Sequence, residues 1–135
     1  MPVARTSEEK PVRALMNRFV SLYNAGDADG IALLYTDNGH RFDDRGAHAQ
    51  GRDAVRVMYE TEIGRRAVRR NPPDAELSLE VDFILLVAPG RALVDGLILF
   101  RGKRRRFTVI AAQEGPDWRL FVGRVHPPAT LPSAD

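Results

Sequence analysis

The sequence predicts an α+β fold in which three helices at the N-terminal end pack on a curved antiparallel sheet and enclose a small, mostly apolar pocket. Three observations support this prediction. Apolar residues in the first half recur with the spacing of a helix face, and in the second half they alternate with polar residues as in a half-buried strand. Short turns separate the strands, and helices followed by strands are typical of α+β domains.

The size and composition of the chain narrow its class. Its 135 residues fit one domain, and a hydrophobic content of 44% is enough for a packed core. The absence of cysteine excludes disulfides and thiol nucleophiles. A formal net charge of +2 is too balanced to favour a nucleic-acid partner. The N-terminus lacks the apolar core of a signal peptide and no apolar run is long enough to span a membrane, so we predict a cytoplasmic protein without membrane contact.

Three amphipathic helices are expected in the first half. The first covers residues 12–23, and Asp27 caps a second whose short apolar stripe ends at Tyr35. A short strand follows at residues 40–44. The third helix begins near Gly51 and stops at Gly64. Its apolar face is expected to consist of Val55, Met58, Tyr59 and Ile63.

Four strands are expected in the second half, at residues 77–87, 92–100, 107–113 and 118–125. Each is followed by a turn rich in glycine, proline or charge, so the strands form an antiparallel meander. The same reading divides the chain into tails and a domain. Residues 1–11 and 127–135 are predicted to be flexible tails, and residues 12–126 to form a single domain.

Two strands are apolar on both faces, at Phe83–Val87 and Leu97–Phe100. An antiparallel sheet with one face in water should alternate throughout. The outer face of the sheet is therefore predicted to be covered by a second copy of the chain, giving a homodimer. The alternative is an effect of the sheet edge within a monomer.

The stretch FVSLYNAGDADGIALLYTDNGHRFDDRG, followed by GRDAV, resembles the nuclear transport factor 2-like superfamily over roughly residues 12–126. This resemblance implies a cone-shaped α+β fold. The superfamily includes isomerases, cyclases, dehydratases, epoxide hydrolases and non-catalytic binders, so the fold alone does not define an activity. Within it, the segments VRALMNRFVSLYNAGD and YTDNGHRFDDRG are similar to ketosteroid isomerase.

The resemblance to ketosteroid isomerase implies roles for a few residues. The catalytic base of that family matches Asp43, and two pocket tyrosines match Tyr35 and Tyr59. The tyrosine that donates to the substrate oxyanion matches Phe19, which has no donor. The second oxyanion donor is an acid on the third strand of the meander, but here that strand reads FTVIAAQ, and Thr108 carries its only hydroxyl. Because lost oxyanion donors slow such reactions severely, ketosteroid isomerase activity itself is not expected, whereas that of the SnoaL-like polyketide cyclases remains compatible.

Asp43 is the candidate base, and its environment decides whether it can act. It alternates with Arg41 on the short strand, so both side chains point to one face, and the family geometry makes that face the pocket. An exposed aspartate is a weak base, and burial among apolar and aromatic side chains would strengthen it. A tight ion pair with Arg41 would instead make Asp43 structural. Both readings stay open at this point.

The resemblance also implies a strand register and hence a set of pocket residues. Asp95 is expected to face outward, and Gly123 to leave room for a ligand. Tyr59 is the candidate electrophile beside the base. The predicted substrate-binding residues are Phe19, Tyr23, Tyr35, Arg41, Met58, Val94, Gly96, Ile98, Thr108, Phe121, Gly123 and Val125.

No metal site or cofactor is predicted. The three histidines, His40, His48 and His126, lack the spacing of metal ligands. His40 has the opposite parity to Asp43 and is expected to be exposed. The chain contains no GxSxG, Walker A or GxGxxG pattern.

Three functions fit these residues. The first is a cofactor-independent isomerase or cyclase in which Asp43 moves a proton on a small apolar carbonyl compound, polyketide- or steroid-like, while Tyr59 stabilises the enolate. The second is a non-catalytic ligand-binding or dimeric scaffold domain. The third is a hydrolytic or dehydrating variant, for which only Asp44 and His48 offer a second group.

Overall fold

The computed structural model of the protein describes residues 9–69, 76–100 and 102–128. These residues form three helices and six strands, which are α1 (Glu9–Asn24), α2 (Ala28–Leu34), β1 (Tyr35–Phe42), β2 (His48–Gln50), α3 (Arg52–Arg69), β3 (Ser78–Ala88), β4 (Arg91–Phe100), β5 (Lys103–Glu114) and β6 (Asp117–Val125). Helix α1 begins inside the segment predicted as a tail. Most of the predicted tails lie outside the described residues, and so do residues 70–75, which include Pro72 and Pro73.

The strands form one curved sheet in the order β2-β1-β6-β5-β4-β3. Strands β3 to β6 pair antiparallel as the predicted meander. Strand β1 pairs with β6 in parallel, so the sheet is mixed rather than wholly antiparallel. The short strand β2 pairs antiparallel with β1 and was not predicted, because three residues are too few to show an alternation.

Two further helix boundaries differ from those predicted. Tyr35 has extended backbone angles, φ −86° and ψ 155°, and starts β1 instead of ending α2, in keeping with the preference of tyrosine for strands. Gly64 does not stop α3, which continues to Arg69. An isolated glycine costs a helix about 1 kcal/mol relative to alanine, which is too little to end it. The predicted cap at Asp27 is confirmed, because its Oδ1 accepts from the Gly30 N–H at 2.8 Å.

The core lies between the helices and the inner face of the sheet. The apolar face of α1 is buried there, as are alternate residues of β4 and β5. Across the sheet, Ile84, Val94, Val109 and Gly123 lie in one inward-facing row, with Val94 fully buried. This packing confirms the predicted fold class.

The outer face of the sheet is uncovered in the single chain. Phe83, Leu85 and Val87 on the edge strand β3 have 45%, 53% and 56% of their surface exposed. Asp95 faces outward as expected, and it accepts from Thr108 Oγ1 at 3.2 Å and from Arg106 Nη2 at 3.1 Å. No helix among the described residues is long and apolar enough to cross a membrane. The cytoplasmic location stays a prediction.

Candidate functional site

A cavity of about 220 Å³ lies between α1, α3 and the inner face of the sheet. Its walls are mostly apolar and its polar groups are few, which is the usual make-up of a small-molecule site. The polar side chains that line it are Tyr23, Arg41, Tyr59, Glu62 and Arg105, together with the more exposed Asp44 and Lys103. The apolar wall consists of Phe19, Leu77, Ile98, Phe100 and Val125.

Arg41 is the central polar residue of this site. Strand β1 directs its side chain to the inner face of the sheet, where only 5% of the residue is exposed. Its Nη2 donates to Glu62 Oε1 at 3.1 Å, and its guanidinium carbon lies 4.3 Å from the centre of the Tyr59 ring. Its Nη1 is buried and has no hydrogen-bond partner among the residues that the structure describes. A buried polar atom without a partner is rare in proteins and calls for an explanation.

The Arg41 guanidinium remains protonated. Burial by itself lowers the pKa of Arg41, but the neighbouring Tyr59 and Glu62 oppose this effect, and the net pKa lies above its ordinary value. A fixed positive charge therefore lies in a mostly apolar cavity.

Glu62 is a site residue that our sequence reasoning missed. It projects from α3 and accepts both from Arg41 and from the Tyr23 hydroxyl, which lies 2.6 Å from Oε2. It comes seven residues after Val55 and three after Tyr59, so it belongs to the same helical face. A carboxylate on the buried stripe of a helix was the signal that could have identified it.

Tyr35 and Tyr59 form a buried hydrogen-bonded pair behind Arg41, with their hydroxyl oxygens 2.9 Å apart. Burial, with the neighbouring Tyr59, raises the pKa of Tyr35 well above its ordinary value. Burial also raises the pKa of Tyr59, although Arg41 partly opposes this. Both hydroxyls therefore stay protonated at neutral pH. Tyr59 also makes an edge contact with Phe19, whose ring centre lies 5.9 Å away.

Asp43 does not line the 220 Å³ cavity. It follows β1 in the turn to β2, where its Oδ1 accepts from the backbone N–H groups of Arg45 at 2.9 Å and Ala47 at 2.8 Å. The carboxylate thus fixes the turn, as aspartate commonly does. Arg41 pairs with Glu62, and no ion pair joins it to Asp43 within the described part of the chain. Asp43 does border an open groove of about 780 Å³ that Arg41 also reaches. Its role as a base stays a prediction.

The other predicted pocket residues divide into groups. Phe19, Tyr23, Arg41, Tyr59, Ile98 and Val125 meet in the main cavity, and Tyr35 and Gly123 border a deeper space of about 40 Å³. Met58 borders the open groove instead. Val94 and Gly96 face inward but are buried in the core, and a side chain at Gly96 would collide with the Glu80 carbonyl oxygen.

The inward positions predicted for Thr108 and Phe121 are wrong. Thr108 alternates with the buried Phe107 and Val109, so it lies on the outer face, where its hydroxyl also lies 2.8 Å from His126 Nε2. In β6 the register shifts between Leu120 and Val122. This bulge reverses the parity of the strand. Leu120 is consequently buried, and Phe121 packs against His40 with ring centres 5.8 Å apart.

Gly123 leaves room for a protein side chain. A Cβ atom at this position would lie 2.6 Å from the Tyr35 hydroxyl oxygen, which is too close for any residue with a side chain. The space predicted for a ligand is therefore partly taken by Tyr35.

The fold brings together two histidines that are separated in sequence. His40 is partly buried rather than fully exposed, its ring stacks on that of His48, and His40 Nδ1 lies 2.9 Å from His48 Nε2. Pairing of β1 with β2 produces this contact. Among the described residues, no group of three or more histidine, aspartate or glutamate side chains is arranged to hold a metal ion.

Comparison with solved structures identifies the class of fold. A nuclear transport factor 2-like protein from Pseudomonas putida superposes with a TM-score of 0.73 and 21% identity, covering 95% of this chain and 92% of the other. A domain with a cystatin-like fold from Nostoc punctiforme gives 0.74 and 18%, covering 95% and 82%. A ketosteroid isomerase-like protein from Erwinia carotovora gives 0.67 and 12%, covering 93% and 100%.

The chain therefore has the nuclear transport factor 2-like fold, as its sequence predicted. No protein-family model matches the sequence. No curated protein matches it significantly either. At these identities the structural likeness defines the fold and leaves the activity to be argued from the site.

Proposed function

We propose that this protein binds a compact, mostly apolar small molecule in the cavity between α1, α3 and the sheet. The observation that supports this is the cavity itself, a space of about 220 Å³ with apolar walls and a few convergent polar groups. Drug-sized ligands occupy roughly 300–1,000 Å³. The favoured ligand is therefore smaller than a steroid.

The test replaces a side chain in the cavity wall by a larger one that fills the cavity. Ile98 borders both the main cavity and the deeper space, so Ile98→Trp should occupy the ligand volume. Leu33, whose surface is 60% exposed on α2, provides the matched control Leu33→Trp. We expect a panel of compact apolar ketones, aldehydes and acids to contain compounds that raise the melting temperature of the wild type and of Leu33→Trp but not of Ile98→Trp.

Each protein is compared with and without ligand, because overpacking alone can destabilise Ile98→Trp by about 1–3 kcal/mol. The proposal fails if no compound stabilises the wild type, or if Ile98→Trp responds as strongly as the wild type does.

A second candidate is proton transfer on a carbonyl compound, as an isomerase or cyclase would perform it. Asp43 and Arg41 both border the open groove, and Tyr59 is a protonated hydroxyl donor beside Arg41. Asp43 would remove a proton next to the carbonyl. The test is deuterium uptake at that carbon in D₂O, followed by NMR. Loss of uptake in Asp43→Asn, with ligand binding retained, supports this function, and equal uptake in both proteins contradicts it.

We also propose that two copies pair through the outer face of the sheet. The support is a continuous apolar row across four strands, in which Leu85, Leu93, Ile110 and Val122 are neighbours on the outer face. A second copy fits this surface because the row would meet its own counterpart about a twofold axis.

A further inference from the structure

Arg41 has a buried hydrogen-bond donor that the proposed function leaves unused. Its Nη2 is taken by Glu62, and the Tyr59 ring covers one face of the guanidinium. Its Nη1 carries two N–H donors, is shielded from solvent, and has no acceptor among the described residues. Because burial without a partner is unfavourable, an acceptor on a ligand would satisfy a group that the folded chain leaves unsatisfied.

The position of Arg41 connects this donor to the ligand space. Arg41 borders the main cavity, the deeper space behind it and the open groove outside. The residue is only 5% exposed and its Nη1 is covered, so the guanidinium has to turn slightly for a ligand oxygen to reach this atom.

The charges around the main cavity indicate the kind of acceptor. Three basic side chains, Arg41, Lys103 and Arg105, face two acidic ones, Asp44 and Glu62, which leaves a net charge of +1. One acid is already engaged by Arg41, and the other lies 3.4 Å from Arg105 Nε. A ligand with a single negative charge would neutralise the cavity. Cationic clefts of this kind also attract anions from solution.

We propose that the ligand is a compact apolar monocarboxylate, with its carboxylate held by Arg41 Nη1 and its apolar part against Phe19, Ile98 and Val125. Charge-assisted hydrogen bonds from arginine to carboxylate are stronger than neutral ones. This inference rests on the proposed pocket, and it adds the chemical class of the ligand.

The test compares acids with neutral compounds of the same carbon skeleton. Benzoate, phenylacetate and 4-methylpentanoate serve as probes, each beside its amide and its methyl ester, with binding measured by calorimetry. We expect the best acid to bind wild-type protein at least tenfold more tightly than its neutral counterparts. If the neutral compounds bind as tightly as the acids, the carboxylate inference is wrong while the pocket stands. If no compound in either series binds, the pocket proposal fails as well.

Two variants test the role of Arg41, one expected to weaken binding of the acid and the other to tighten it. Arg41→Lys keeps the charge but removes the second donor arm, and we expect it to weaken binding of the acid at least tenfold while changing that of the methyl ester little. Glu62→Gln removes the competing anion, and we expect it to tighten binding of the acid. Arg56→Gln, on the outer side of α3, is the control and should leave both affinities unchanged. Weaker acid binding in Glu62→Gln would overturn the proposal even if Arg41→Lys failed to fold.

Discussion

At the scale of single residues, the site depends on how Arg41 is kept inside an otherwise apolar cavity. A buried charge is tolerated only when it is paired and hydrogen-bonded. Glu62 supplies the opposite charge and Tyr59 a polarisable ring, while the Tyr23 hydroxyl orients Glu62. Removing one member of a buried ion pair costs about 3–5 kcal/mol, and less where a partner is partly exposed, as Glu62 is at 33%.

The paired tyrosines give the protein a dependence on alkaline pH. The pKa values of Tyr35 and Tyr59 are raised by burial in the folded state. Below a pH of about 10, which is the ordinary pKa of tyrosine, the folded and the unfolded chain both keep these two protons. The contribution of the tyrosine pair to the free energy of unfolding is then fully present. Above it the unfolded chain releases protons that the folded chain retains, so stability falls as the pH rises.

We therefore expect the urea midpoint to drop between roughly pH 10 and pH 11. The double variant Tyr35→Phe/Tyr59→Phe should show a shallower drop, because it lacks both titrating hydroxyls. Since both are removed together, no buried hydroxyl is left without a hydrogen-bond partner. Urea unfolding at several pH values measures this. An equally steep drop in the double variant would mean that the buried tyrosines are not the cause.

The sequence predicted some residues of the site and missed one. The resemblance placed Phe19, Tyr35 and Tyr59 near a cavity, and the structure brings them together. Glu62 went unnoticed because a carboxylate in a helix is usually solvated. Its partner could be known only once β1 and α3 were seen to face each other.

At the scale of elements, the helices and the meander followed from periodicity, and the error at Phe121 arose where a strand is irregular. In β6 the extra residue between Leu120 and Val122 shifts the alternation, so the inward positions of Gly123 and Val125 do not extend back to Phe121, which faces outward. A bulge leaves little trace in a short apolar strand, where residues of both parities are hydrophobic.

The turn between β1 and β2 explains why Asp43 differs from its expected placement. Strand β1 ends at Phe42, so the alternation that would bring Asp43 beside Arg41 stops one residue too early. The backbone N–H groups of the turn then attract the carboxylate. Local hydrogen bonding of this kind competes with strand continuation and cannot be read from alternation alone.

At the scale of the whole molecule, the helices cover one face of the sheet and leave the other bare. Exposed apolar side chains on Phe83, Leu85 and Val87 form a surface that a second copy would bury. Burying one such side chain contributes roughly 1.5–3 kcal/mol. This surface is the physical basis for the proposed dimer.

A charge on this face should separate the two copies. We expect Leu85→Glu to raise the dimer dissociation constant at least about tenfold, which is ~1.4 kcal/mol. Leu33→Glu, on the exposed side of α2, should leave it unchanged. Light scattering coupled to size exclusion measures the mass of each protein. A wild-type protein that remains monomeric at high concentration would contradict the dimer.

The central claim is that the buried Arg41 Nη1 donates a hydrogen bond to an oxygen of the ligand. A crystal structure of the protein with the tightest-binding carboxylate tests it most directly. We predict a carboxylate oxygen about 2.8 Å from Arg41 Nη1, with the apolar part of the ligand inside the cavity. A carboxylate bound elsewhere, with Nη1 paired to a protein acceptor, would contradict the account.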